Sequence, residues 1–148
     1  MKLAHNIVMS VFCIDANSEP SLESVFHSLL PVDFEKEKIT FIKRNAKGFQ
    51  EKNIRILELI ISKERHINEF LANLLKLMDN DQKNLMIRQF DSRLDSDLNF
   101  YLRIDKDKIL ENKFWITDSG SCFHIKLALA AFPKKKETAF ALVKEIFK

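Results

Sequence analysis

From residue 98 to residue 105 the chain alternates one position at a time. Leu98, Phe100, Leu102 and Ile104 are apolar, and Asn99, Tyr101, Arg103 and Asp105 between them are polar or amphipathic. A two-residue period belongs to a β-strand, whose successive side chains point to opposite faces. Such a strand needs one covered face and one wet face, as in an antiparallel sheet with helices on a single side. A second alternation runs through residues 122–132. There Phe123, Ile125, Leu127 and Leu129 oppose His124, Lys126, Ala128 and Ala130.

The remaining expected strands are residues 3–14, 34–43, 53–61 and 113–116. Apolar residues recur at helical spacing over 19–30 (Leu22, Val25, Phe26, Leu29) and 62–78 (Ile67, Phe70, Leu71, Leu74). They recur again over 82–90 and after Pro133, which is expected to open the last helix. Ser18 and Ser62 are the expected N-caps, and residues 106–111 form a single helical turn. Gly48 is expected to supply a positive φ in a polar loop over 44–52, and Gly120 sits in a tight turn over 117–121. The order is strand, helix, two strands, two helices, three strands, helix. It lacks strict β-α-β alternation, which argues against a doubly wound parallel sheet. The expected fold class is α+β, a single layer of largely antiparallel sheet with helices packed on one face, in one domain over residues 1–148.

Composition narrows the function. Thirteen Phe against one Trp and one Tyr suggest a core of rings that need no hydrogen-bond partner. Two Gly in 148 residues leave no glycine-rich phosphate loop. A net charge of +3 permits a polyanionic partner without demanding one. Basic residues gather at Lys43, Arg44, Lys47, Lys52 and Arg55, at Arg103, Lys106 and Lys108, and at Lys126 and Lys134 to Lys136. If they share a face they can neutralise several phosphates; otherwise they form a solvated surface. Cys13 and Cys122 lack CxxC spacing and are expected to be free thiols in a reducing cytoplasm. No apolar run reaches bilayer length and no signal peptide is expected, so the localisation expected is cytoplasmic and no membrane partner is expected.

The enzyme-like feature is an acidic set, Asp91, Asp95, Asp97, Asp105 and Asp107. It can be read as a Mg²⁺ site for phosphodiester cleavage. Arg93, Arg103, Lys106 and Lys108 lie among these acids, and ion pairing is the simpler reading. His5, His124, Cys13 and Cys122 can meet if the first and last strands pair, but close-spaced zinc ligands are missing. No cofactor is expected.

Residues 93–108 read RLDSDLNFYLRIDKDK. Arg93, Asp95, Phe100, Tyr101, Leu102, Arg103, Asp105 and Lys106 resemble the signature of a small archaeal family of exosome-associated RNA-binding proteins. That family's fold is similar to that of the ribosomal large-subunit protein that grips 5S RNA. The resemblance extends over nearly the whole chain. It departs at Phe49-Gln50-Glu51, where family members tend to carry a second glycine, and at Ser18-Glu19-Pro20. It implies a non-catalytic RNA-binding protein with exosome or other RNA-processing partners. The expected RNA-binding residues are Arg44, Lys47, Tyr101, Arg103, Lys106 and Lys126, with Tyr101 stacking on a base. The alternative is a homodimeric interaction module that pairs through Ile42, Tyr101 and Ala128. A metal-dependent nuclease ranks third.

Overall fold

A computed structural model describes residues 2–48 and 53–148. Five strands form one sheet: β1 (Ala4–Cys13), β2 (Thr40–Lys47), β3 (Asn53–Ile61), β4 (Asn99–Asp105) and β5 (Cys122–Leu129). Their spatial order is β2-β3-β1-β5-β4, and every neighbouring pair is antiparallel. The expected fold class therefore stands. The helices are α1 (Glu19–Leu29), α2 (Glu64–Leu77), α3 (Asn80–Arg88), α4 (Phe90–Arg93), α5 (Lys106–Leu110) and α6 (Lys136–Ile146). No described helix is long and apolar enough to cross a membrane.

The alternation read from the sequence becomes two faces. Ile7, Met9 and Val11 of β1, Leu57, Leu59 and Ile61 of β3, Phe100, Leu102 and Ile104 of β4, and Phe123, Ile125 and Leu127 of β5 are buried together. Helices α1, α2 and α6 cover them with Leu22, Phe26, Phe70, Leu74 and Val143. Rings dominate this layer. Phe26 meets Phe41 at 5.2 Å and Phe123 at 5.6 Å, both nearly edge-on, and Phe100 packs against Phe147 at 5.8 Å.

Several local expectations are corrected. The second strand begins at Thr40, not at residue 34, because Asp33 takes the Glu35 and Lys36 amides in a turn and Lys38 has a φ of 56°. Ser18 makes no side-chain cap to the helix and instead donates to the Asp15 carbonyl at 2.7 Å. Lys63, not Ser62, occupies the N-cap of α2, and α3 begins behind Asp79, which accepts from the Gln82 amide at 2.8 Å. Residues 113–116 form no strand; a lone bridge joins Ile104 to Ile116. Even so, the Asp105 amide donates to the Trp115 carbonyl at 2.9 Å and the Thr117 amide to the Arg103 carbonyl at 3.0 Å. That segment blunts the outer edge of β4. The last helix starts at Lys136, three residues past Pro133. Gly120 has a φ of 85° in the turn expected over residues 117–121. The hairpin tip with Phe49, Gln50, Glu51 and Lys52 lies outside the described residues.

Replacing Phe26 by Ala empties the ring cluster that fixes α1 on the sheet. Denaturant unfolding is expected to show a loss of about 3–5 kcal/mol. A loss below about 1 kcal/mol would mean that the cluster does not hold the layers together.

Candidate nucleic-acid interface

Among the described residues no helix covers the second face of the sheet. Its residues follow from the strand register. Tyr101 of β4 lies opposite Lys126 of β5, and Lys126 lies opposite Val8 of β1. One row along, Arg103 faces His124 and His124 faces Ser10. Phe12 follows on β1, with its ring 6.3 Å from that of His124. Lys106, just past β4, donates from Nζ to the Phe12 carbonyl at 3.2 Å. The uncovered face thus interleaves three rings with three cations. Phe12 is 51% exposed and Tyr101 40% exposed.

Two residues behind the face hold Tyr101 and Arg103 in place. Arg93 on α4 is only 9% exposed. Its guanidinium donates to Gln89 Oε1 at 2.7 and 2.9 Å, to Asp118 Oδ1 at 3.0 Å and to the Tyr101 carbonyl at 3.3 Å. Burial lowers its pKa, and Asp118 opposes that shift. Asp95 accepts from the Asn99 amide at 2.8 Å, the Asn99 side chain at 3.1 Å, the Asp97 amide at 3.0 Å and the Tyr101 hydroxyl at 2.8 Å. The Asn99 amide, then the other donors, hold its carboxyl below the usual value. The same bond raises the Tyr101 phenol pKa. Arg103 donates to the Asp118 carbonyl at 2.9 Å and has no carboxylate partner among the described residues. Gln89, Arg93, Asp95, Tyr101, Arg103 and Asp118 line a groove of about 480 Å³ along the β4 edge.

The expected site residues are only partly gathered. Tyr101, Arg103 and Lys126 adjoin on the uncovered face, with Lys106 at its rim. Arg44 shares that face but stands four strand spacings away on β2, roughly 19 Å. Its guanidinium lies 4.0 Å from Glu58. Lys47 has the opposite parity on β2 and belongs to the helix side of the sheet. Two further hairpin cations are neutralised from α1: Lys43 contacts Glu23 at 2.8 Å and Glu19 at 3.4 Å, and Arg55 contacts Glu19 at 3.2 Å. The Glu23 hydrogen bond raises the Lys43 pKa.

Three of the five acids take separate structural roles. Asp91 pairs with Lys136 at 2.6 Å, Asp95 organises its turn, and Asp105 accepts from the Lys108 amide at 2.9 Å. Among the described residues no three His, Cys, Asp or Glu side chains gather. Cys13 and Cys122 are both buried and free, and Cys122 Sγ lies 3.6 Å from His124 Nε2. Burial raises the Cys122 thiol pKa. Phe12 and His124 were not among the expected site residues. Their signal was present, since both occupy the solvent-facing parity of their strands.

A profile of a family described as RNA binding matches residues 6–129. The chain is 27% identical over 144 residues to the RNA-binding protein PAB1135 of Pyrococcus abyssi, across 96% of this chain and 92% of that protein. Its fold matches protein AF2318 of Archaeglobus fulgidus at a TM-score of 0.81 and 22% identity, over 97% of this chain and 99% of the other. It also matches Mth689 of Methanothermobacter thermautotrophicus at 0.77 and 22% identity, over 99% and 100% of the two chains.

Two changes test the support behind the face. Arg93→Ala removes several charged hydrogen bonds and is expected to cost about 2 kcal/mol in denaturant unfolding. Asp95 has a folded pKa below its ordinary 3.8, so its contribution is complete above that value and is lost as pH falls through the folded value. Asp95→Asn is therefore expected to flatten the acid limb of the stability curve. An unchanged acid limb would remove Asp95 from this role.

Proposed function

The chain belongs to the RNA-binding family, and from that premise we propose that its uncovered sheet face binds RNA without cutting it. The observation that carries the reading is the convergence of Tyr101, Arg103 and Lys126 with Phe12 and His124 on a face no helix covers. Rings at this exposure offer stacking platforms for unpaired bases, and sequence-tolerant stacking needs only a free ring face. Arg103 and Lys126, with Lys106 at the rim, meet the phosphates. The backbone-anchored guanidinium of Arg103 is preorganised, so little side-chain freedom is lost on binding. In its fuller form the protein works in the cytoplasm as an accessory to the archaeal exosome or other RNA-processing proteins, on a frame like that of the 5S-RNA-binding ribosomal protein. The run over residues 93–108 supports that form.

The test is titration of labelled single-stranded RNA at several salt concentrations. Arg103→Ala with Lys106→Ala is expected to weaken binding and reduce the salt slope by about 1.4, two phosphate contacts at roughly 0.7 each. Curves that overlay the wild type would overturn the assignment. Burial, with Arg103 adding to it, holds the His124 pKa below its ordinary 6.5, so it gains charge only in mild acid. Bound phosphate favours the charged form, so affinity is expected to rise as pH falls below 6.5, and less so in His124→Ala.

A second copy of the chain is the competing occupant. Val8, Ile56 and Ile60 are half-buried on the same face and Ile42 is exposed. Light scattering decides: a dimer that Ala128→Glu dissociates, with no RNA titration, favours the self-pairing reading.

A further inference from the structure

Phe132 is 93% exposed, the most exposed of the large apolar side chains described. It sits between β5 and α6, and Pro133, Lys134, Lys135 and Lys136 follow it. The segment is anchored at its start, where the Leu129 amide donates to the Leu98 carbonyl at 3.2 Å and the Ala130 amide to the Leu3 carbonyl at 3.0 Å. Lys136 is tied to Asp91 at 2.6 Å, while Lys134 and Lys135 have no acidic partner among the described residues. The three lysines line a groove of about 430 Å³ together with Leu94, Asp95 and Leu98. Leu94 and Asp95 also line the groove beside Tyr101 and Arg103. The two grooves therefore share Leu94 and Asp95 as a common wall beside β4.

We propose that Phe132 with Lys134 and Lys135 forms a second contact for single-stranded RNA, reached by a strand that leaves the sheet face along the outer edge of β4. One base stacks on the Phe132 ring, and the neighbouring phosphates meet the two unpaired lysines. This contact rests on reading the sheet face as an RNA surface, and it deepens that reading by selecting an unpaired strand over a duplex. A duplex keeps its bases stacked inside and has none to offer to Phe132. Apolar burial does not explain this ring, because nothing covers it. The lysines give it the charge that a polyanion needs, and the wall shared by the two grooves sets this segment beside the sheet face.

The experiment uses the full chain, a labelled uridine-rich strand of about 12 nucleotides and an RNA hairpin stem. Phe132→Ala is expected to weaken strand binding about tenfold, the order for one lost stack, at unchanged salt slope and with stem binding unaltered. Lys134→Ala with Lys135→Ala is expected to lower the salt slope by about 1.4. Ultraviolet crosslinking with mass spectrometry is expected to place a uridine on Phe132. All three side chains are exposed, so these variants keep the wild-type melting curve. If Arg103→Ala weakens strand binding while the Phe132 and lysine variants titrate as wild type, the second contact is wrong and the sheet-face reading stands. If the wild type binds no RNA at low salt, both fall. Loss of binding to phosphatidylserine vesicles in Phe132→Ala, with RNA titration unchanged, would assign the segment to a lipid surface and overturn the proposal.

Discussion

Phe26 sits edge-on to Phe41 and to Phe123, and through those two rings one helix holds strands from both halves of the sheet. Phe41 belongs to β2 and Phe123 to β5, with β3 and β1 between them. The contact fixes which side of the sheet is dry. Once α1 is seated there, α2 and α6 have the same side to cover, and the period-two pattern delivers the other parity to water. The uncovered face is thus a product of the core. Moving a strand by one residue would exchange Tyr101 and Arg103 for Phe100 and Leu102, which the core forbids.

The charge distribution sharpens what that face can do. A net charge of +3 describes the molecule poorly, because cations differ in how far they are already neutralised. Around the hairpin, Glu19 and Glu23 hold Lys43 and Arg55. Along β4 and β5, Arg103 leans on a carbonyl and Lys126 has no acidic partner among the described residues. Only the second group leaves its field for a ligand. Three of the acids near these cations are occupied in space: Asp95 by amides and a hydroxyl, Asp105 by an amide, Asp118 by Arg93.

Much of this was legible in the amino-acid order, for reasons specific to each element. Strands β1, β3, β4 and β5 and helices α1 and α2 announce themselves because their apolar residues repeat at the element's own period. The second strand was misplaced because Phe34 and Ile39 are apolar for packing under α1, not for strand alternation. Residues 113–116 have strand-like residues but only half of a ladder, since they lie on an edge with no further strand to pair. The candidate site was half legible. Tyr101, Arg103 and Lys126 follow from parity within single strands. The separation of Arg44 and the inward parity of Lys47 depend on sheet order, which no local pattern encodes. The Arg93 clamp was visible only as a motif, because its partners Gln89 and Asp118 lie 4 and 25 residues away.

The insertion of β5 between β1 and β4 has a consequence for timing. Tyr101 and Arg103 are made before Lys126 and His124, yet they gain those neighbours only when residues 122–129 pair on both edges. A chain still emerging from synthesis holds a three-stranded piece, β2-β3-β1, with an open edge and no strand to join it to β4. The pairs Tyr101–Lys126 and Arg103–His124 therefore cannot form until residues 122–129 have been made.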